Sequence, residues 1–271
     1  MKENTRQPFQ WLHVARTAVP VLAVMLVCQW LNRRLRDRFD EFLPKARAWR
    51  AANLAVSTLH AAVTGLWALN IFVAEPRLFV NVQESTRSCT NLLTLTTGYL
   101  VYDVVDNARH VWTTRTLEIL LHHAFCLYSF VVGIVWRRYT VLGSLGLLAE
   151  INSVLLHART LALLCAGHQA LQQRPNALRY ISAANLATFV PFRLLLFAYT
   201  LVYCFVYKDQ MDWFYAALGV VGSLFLTVLN ATLFYRLLKA DGYLCLLPTG
   251  TAASPSASTD DTQQSIGNKE L

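Results

Sequence analysis

An all-α polytopic membrane protein, a bundle of six to seven transmembrane helices, is the fold class this sequence predicts. Three observations predict it. Hydrophobic residues make up 55% of the 271 and charged residues only 15%, with a mean hydropathy of +0.37, outside the balance of soluble domains. The apolar residues collect in runs close to the roughly 20 residues that a helix needs to cross the hydrocarbon core. The 24 Lys and Arg, against 16 Asp and Glu, gather at the ends of those runs. Their net charge of +8 therefore speaks of membrane topology, because nucleic-acid binding would need a basic stripe interleaved with aromatics. With 11 Gly, 8 Pro and 12% aromatics, the chain is also neither collagenous, disordered nor a secreted disulfide scaffold.

The first run, 14 to 31, is the weakest. Its uncharged part from Thr17 to Leu31 follows Arg16 in the manner of a signal-peptide core, but no small-residue cleavage site follows it, so a retained anchor is expected. Arg33, Arg34, Arg36, Arg38, Lys45, Arg47 and Arg50 come next, as a basic cytosolic loop resting on anionic lipid. Residues 1–44 are thus expected to form an N-terminal anchor and basic loop, 45–240 the main helical domain, and 241–271 a disordered cytosolic tail. Further spans are expected at 51–74, 90–106, 117–135, 140–164, 183–206 and 213–238, each bounded by charge, Pro or polar clusters.

With seven spans, the loops on one side carry 15 Lys and Arg, counting those at span ends, against 8 on the other. The positive-inside rule then puts the N-terminus outside and the tail in the cytosol. That tail, rich in Ser, Thr, Ala and Asp, has no apolar periodicity. Its terminal Asn268-Lys269-Glu270-Leu271 only partly resembles a lumenal retrieval signal. The six cysteines form no CxxC or Cys/His knuckle and read as packing, with Cys245 a palmitoylation candidate. Asn230-Ala231-Thr232 matches a glycosylation sequon but lies inside the seventh span.

Ionisable side chains inside spans are expensive and mark candidate sites. Asp103 and Asp106 lie at i and i+3 near the end of the third span. Glu118 precedes His122 by four residues, so it can orient that imidazole, and His123 points about 100° away from its neighbour. An imidazole oriented by a carboxylate suits acyl transfer, although ordinary interhelical hydrogen bonds would leave the same pattern. Glu150, Ser153 and His157 share a face of the fifth span, and Arg193, after the helix-kinking Pro191, is a partner within reach of Glu150 or of a lipid headgroup. His60 stands alone and reads as a satisfied interhelical histidine. No metal site and no cofactor is expected, since adjacent histidines without a third ligand at diagnostic spacing suit no single ion.

The run from Trp49 to Leu69, the segment Gly98-Tyr99-Leu100-Val101-Tyr102-Asp103-Val104-Val105-Asp106, the pair His122-His123 and the segment Ala149 to Arg159 together resemble the TLC domain family over roughly residues 45–240. The resemblance implies helices around a cavity for lipid or acyl chains. In the related ceramide synthases the paired histidines, matching His122 and His123, belong to the acyl-transfer site. A second motif, His-Asp with a further Asp and a Glu, falls on Ala149, Glu150, Ser153 and His157, where only the first acid is kept, as Glu150. That departure weakens the case for sphingoid-base acylation.

The branch most resembled is linked to limiting polyunsaturated chains in plasma-membrane phospholipids, which implies a regulator of acyl composition and fluidity. Its lipid site would be lined by Asp103, Asp106, Glu118, Glu150, His157 and Arg193. Two alternatives stand beside it. One is an acyltransferase with acyl-CoA as substrate and His122 or His123 as the catalytic imidazole. The other is a modulator of a membrane-protein partner such as a channel. Implied partners are phospholipids or acyl donors, with no nucleic acid, and the endoplasmic reticulum is the alternative location.

Overall fold

The computed structural model describes residues 11–110, 112–172 and 175–240; the proposed tail, Cys245 and the terminal Asn-Lys-Glu-Leu lie outside them. Helices dominate and no strand occurs among the described residues. They are α1 (Trp11–Phe39), α2 (Lys45–Ala74), α3 (Arg87–His110), α4 (Thr114–Trp136), α5 (Thr140–Gly146), α6 (Glu150–Gln172), α7 (Pro175–Phe189), α8 (Leu196–Val206) and α9 (Trp213–Ala240). Six stretches among the described residues are long and apolar enough to cross a membrane: Ala15–Phe39, Lys45–Ala74, Thr116–Trp136, Thr140–Cys165, Tyr180–Val206 and Trp213–Ala240. The chain is a multi-pass membrane protein.

Each expected span is a helix, with three differences that have physical causes. The basic segment after the first run is not one loop but is split between two helices: Arg33, Arg34, Arg36 and Arg38 lie in the last turns of α1, which runs on to Phe39, and Lys45, Arg47 and Arg50 open α2. Arg is a good helix former, and Arg36 and Arg38 sit where the helix dipole is negative. The third run is a 24-residue helix, about 36 Å long at 1.5 Å per residue, yet too polar to qualify as a span by composition. It can be polar because α1, α2, α4 and α5 surround it. The fifth run is broken: α5 passes through a 3₁₀ turn, Leu147–Ala149, into α6, which opens on Glu150.

At two close helix approaches a glycine faces the backbone of its neighbour. A Cβ on Gly65 of α2 would stand 2.9 Å from the Ile151 backbone nitrogen of α6, and one on Gly98 of α3 would stand 2.6 Å from the Val21 carbonyl oxygen of α1. Met25, Cys28, Leu31 and Leu35 of α1 pack against the core, so α1 lies on α2 and α3 as part of the bundle. Its opposite face, with Leu22, Leu26 and Trp30, is exposed, as a lipid-facing surface is.

Polar side chains join α6 to α7. The Asn152 Nδ2 lies 2.9 Å from each of Asn185 O, Asn185 Oδ1 and Thr188 Oγ1 and shares its two hydrogens among them. Asn152→Leu is expected to lower stability in detergent by about 1.5 kcal/mol, the upper range for interhelical hydrogen bonds in membranes, read as a drop in Tm. An unchanged Tm would mean the contacts carry no net energy.

The two ends of the bundle differ in character. At one, Phe72, Leu78, Leu92, Leu93, Val141 and Leu145 form a dry core. It is closed by Tyr203 of α8, whose hydroxyl donates to Val80 O at 3.0 Å, and flanked by the ion pair of Arg138 with Asp212. Toward the other, polar residues take the interior positions of α2 and α3.

Candidate intramembrane polar site

The polar interior begins with α2. Asn53, Ser57, His60 and Thr64 recur every three or four residues, which puts them on one buried face. That face meets Tyr99, Asp103 and Asn107 of α3, spaced by four for the same reason. Asp103 is the centre. Its Oδ1 accepts from Asn53 Nδ2 at 3.0 Å, and its Oδ2 accepts from Asn107 Nδ2 at 2.9 Å. Neutral amides satisfy the carboxylate without cancelling its charge, so the buried anion still calls for a cation or a donor.

His123 of α4 supplies it. Its Nδ1 lies 2.9 Å from Asp103 Oδ2, short but poorly aligned for a linear ring N–H bond. A proton on Nδ1 is the arrangement a carboxylate at that distance favours, which leaves Nε2 as an acceptor or nucleophile. The carboxylate on the histidine pair therefore comes from α3, where a local Glu118 on His122 was expected. Glu118 is half-buried, and His122 instead sets its ring nitrogens 3.9 and 4.0 Å from Cys126 Sγ. The two imidazoles are 5.3 Å apart, so they do face different neighbours.

Asp106 forms the outer edge. It accepts from Trp49 Nε1 at 2.9 Å and from Asn53 Nδ2 at 3.1 Å, and His110 stacks on Trp49 with ring centroids 4.6 Å apart. Toward the interior, Tyr99 donates to Ser57 Oγ at 2.9 Å and stacks on His60 at 3.7 Å. His60 is thus not alone. Its Nε2 is buried with no hydrogen-bond partner, and together with His157 it lies within electrostatic reach of Asp103 and His123.

The far wall is α6 and the turn after α7. Pro191 was expected to kink its helix, and the structure absorbs it as a π-helical turn, Val190–Leu195, which carries Arg193. Arg193 does not pair directly with Glu150. Its Nη2 donates to Ser153 Oγ and its Nη1 to Asn230 Oδ1, both at 2.8 Å. Glu150 acts on it only at longer range. Arg193 is in turn within electrostatic reach of His122 and His157.

Asp103, Asp106 and His123 thus form one contact network through Asn53, with His157 in electrostatic reach of Asp103, and Arg193 in electrostatic reach of His122, His157 and Glu150. Among the described residues no three His, Cys, Asp or Glu side chains are grouped to hold a metal ion. Sequence reasoning missed Asn53, Asn107 and Asn230, although an amide inside an apolar run is a signal of the same kind as a charge. It also read Asn230 only as an unused sequon.

The chain's residues 50–239 match the family model of the TLC domain. Among curated proteins it is similar to TLC domain-containing protein 2 of Danio rerio, 29% identical over 73% of this chain and 78% of that protein. It is likewise similar to TLC domain-containing protein 1 of Rattus norvegicus and of Homo sapiens, each 31% identical over 72% of this chain and 76% of the relative.

Proposed function

The chain belongs to the TLC domain family, and on that premise we propose that it regulates the acyl composition of membrane phospholipids, limiting polyunsaturated chains and so lowering fluidity at the plasma membrane. The N-terminus would face outside and the tail the cytosol. The observation that carries this reading is the Asp103 and His123 pair, held by Asn53 and Asn107 inside an apolar bundle. A buried carboxylate held only by neutral amides and an imidazole costs several kcal/mol to desolvate, and a protein that only needed to span the bilayer would fill the place with leucine. Polar groups walled by helices suit a ligand with a polar end and an apolar tail, which describes phospholipids and acyl donors.

Acyl-resolved lipidomics of cells lacking the protein tests it. Re-expressed wild type is expected to restore phospholipid unsaturation to its starting level, and His122→Ala/His123→Ala at matched expression is expected not to. Equal rescue by both would remove the polar site from the function.

One observation favours a second reading, acyl transfer from acyl-CoA. An imidazole with a carboxylate at Nδ1 and a free Nε2 has the groups of a nucleophile or general base. Purified protein would then turn over acyl-CoA with a lipid acceptor, and a cellular change confined to ceramides would point the same way. No turnover across several acceptors would overturn it.

A further inference from the structure

Arg193 has an environment the function proposed above does not yet use. It lies 13 residues from either end of the span Tyr180–Val206, about 20 Å along the helix, farther than an extended arginine can reach toward the interface. The guanidinium must stay inside. Its partners are neutral: Ser153 of α6, Asn230 of α9 and the ring of Phe189, with Cζ 5.5 Å from the ring centroid. Among the described residues no carboxylate comes within ion-pair distance of it. Its Nε is buried and donates to nothing.

A guanidinium keeps its charge in proteins, so the unpartnered Nε–H cannot be relieved by losing a proton. Nε and Nη2 share one edge of the guanidinium, the edge that matches the two oxygens of an acid group. Ser153 and Asn230 hold that fork from two other helices, so it is set before any ligand arrives. Glu150 contributes negative charge at longer range without occupying the edge.

We propose that the Nε and Nη2 edge of Arg193, seated by Ser153 and Asn230, receives the oxyanion end of a lipid inside the bundle. The proposal rests on the lipid-binding function above and names what that lipid must carry. Depth selects between the sources of such a group. A phospholipid in its leaflet keeps its phosphate at the interface, whereas a fatty-acid carboxylate can be drawn to mid-span by one opposite charge. A carboxylate there would lie beside His122 and His157, both within electrostatic reach of Arg193.

The test is binding of oleic acid, oleyl alcohol and lysophosphatidic acid to the full chain in neutral detergent, with Arg193→Gln, Arg193→Lys and Glu150→Gln beside wild type. Wild type is expected to bind oleate at least tenfold tighter than oleyl alcohol. Arg193→Gln should bring the oleate to oleyl alcohol ratio close to one, Arg193→Lys should keep part of it, and Glu150→Gln should raise it. Lysophosphatidic acid bound in preference to oleate, with the same loss in Arg193→Gln, would support the oxyanion site with phosphate as its source. Equal binding of oleate and oleyl alcohol by wild type would overturn the proposal while leaving lipid binding intact, and this result needs no variant to fold. No binding of any of the three would overturn the lipid-binding reading itself, and the proposal with it.

Discussion

Asp103→Asn is expected to abolish lipid rescue as fully as His123→Ala does, and the double variant is expected to add nothing further. The side chains touch at 2.9 Å, and residues in contact within one network are strongly non-additive. Asparagine keeps the size of aspartate, and its carbonyl can still accept from Asn53 or Asn107. It cannot accept from both of those amides and from His123 through both its terminal atoms, because one of them is now a donor. One donor is left facing another in a buried place, at a cost of about 2 kcal/mol. The imidazole also loses the charge that favours a proton on Nδ1. Asp103→Asn at normal abundance with lost rescue is the predicted combination, read by lipidomics together with Tm in detergent. Full rescue by Asp103→Asn would show that the carboxylate is not needed, and additive losses would show that the two residues act separately.

The second large effect is structural. Gly98→Val is expected to cost about 3 kcal/mol or to prevent folding, at the upper end for overpacking. The new Cβ would stand 2.6 Å from Val21 O and 2.7 Å from Val24 Cβ of α1. A backbone carbonyl cannot swing aside as a side-chain tip can, so α1 itself must move. Even alanine at this position meets the same two atoms. Gly146→Ala is the control, since a Cβ there meets nothing within 4 Å; it is expected to leave Tm within a degree or two. If Gly98→Val unfolds at the wild-type temperature, α1 is not held against α3 in the way described.

Much of this fold is legible in the sequence because the bilayer makes two demands plain: runs of apolar residues, and charge at their ends. The helices follow, and Pro191 announces its own distortion. What local patterns cannot show is pairing between helices. Glu118 and His122 are four residues apart and look like partners, yet the carboxylate at the paired histidines is Asp103, twenty residues before His123. Likewise Glu150 and Arg193 are the obvious opposite charges of their spans, but the packing of α6 and α9 offers Arg193 a serine and an asparagine instead. The missing asparagines have the same cause. An amide in an apolar run signals an interhelical contact without saying to which helix it belongs.

The polarity of α3 also bears on how the protein is made. A helix that enters the bilayer by itself, one segment at a time, must be apolar enough to leave the insertion channel for lipid. α3 fails that requirement among the described residues, because Thr94, Thr96, Thr97, Asp103 and Asn107 are buried against neighbouring helices. α3 is therefore expected to enter the membrane in company, sheltered by α1 at Gly98 and by α2 along Asn53 and Ser57. Biogenesis would then have a waiting step, in which α1 and α2 are held at the channel until their polar partner has been synthesised.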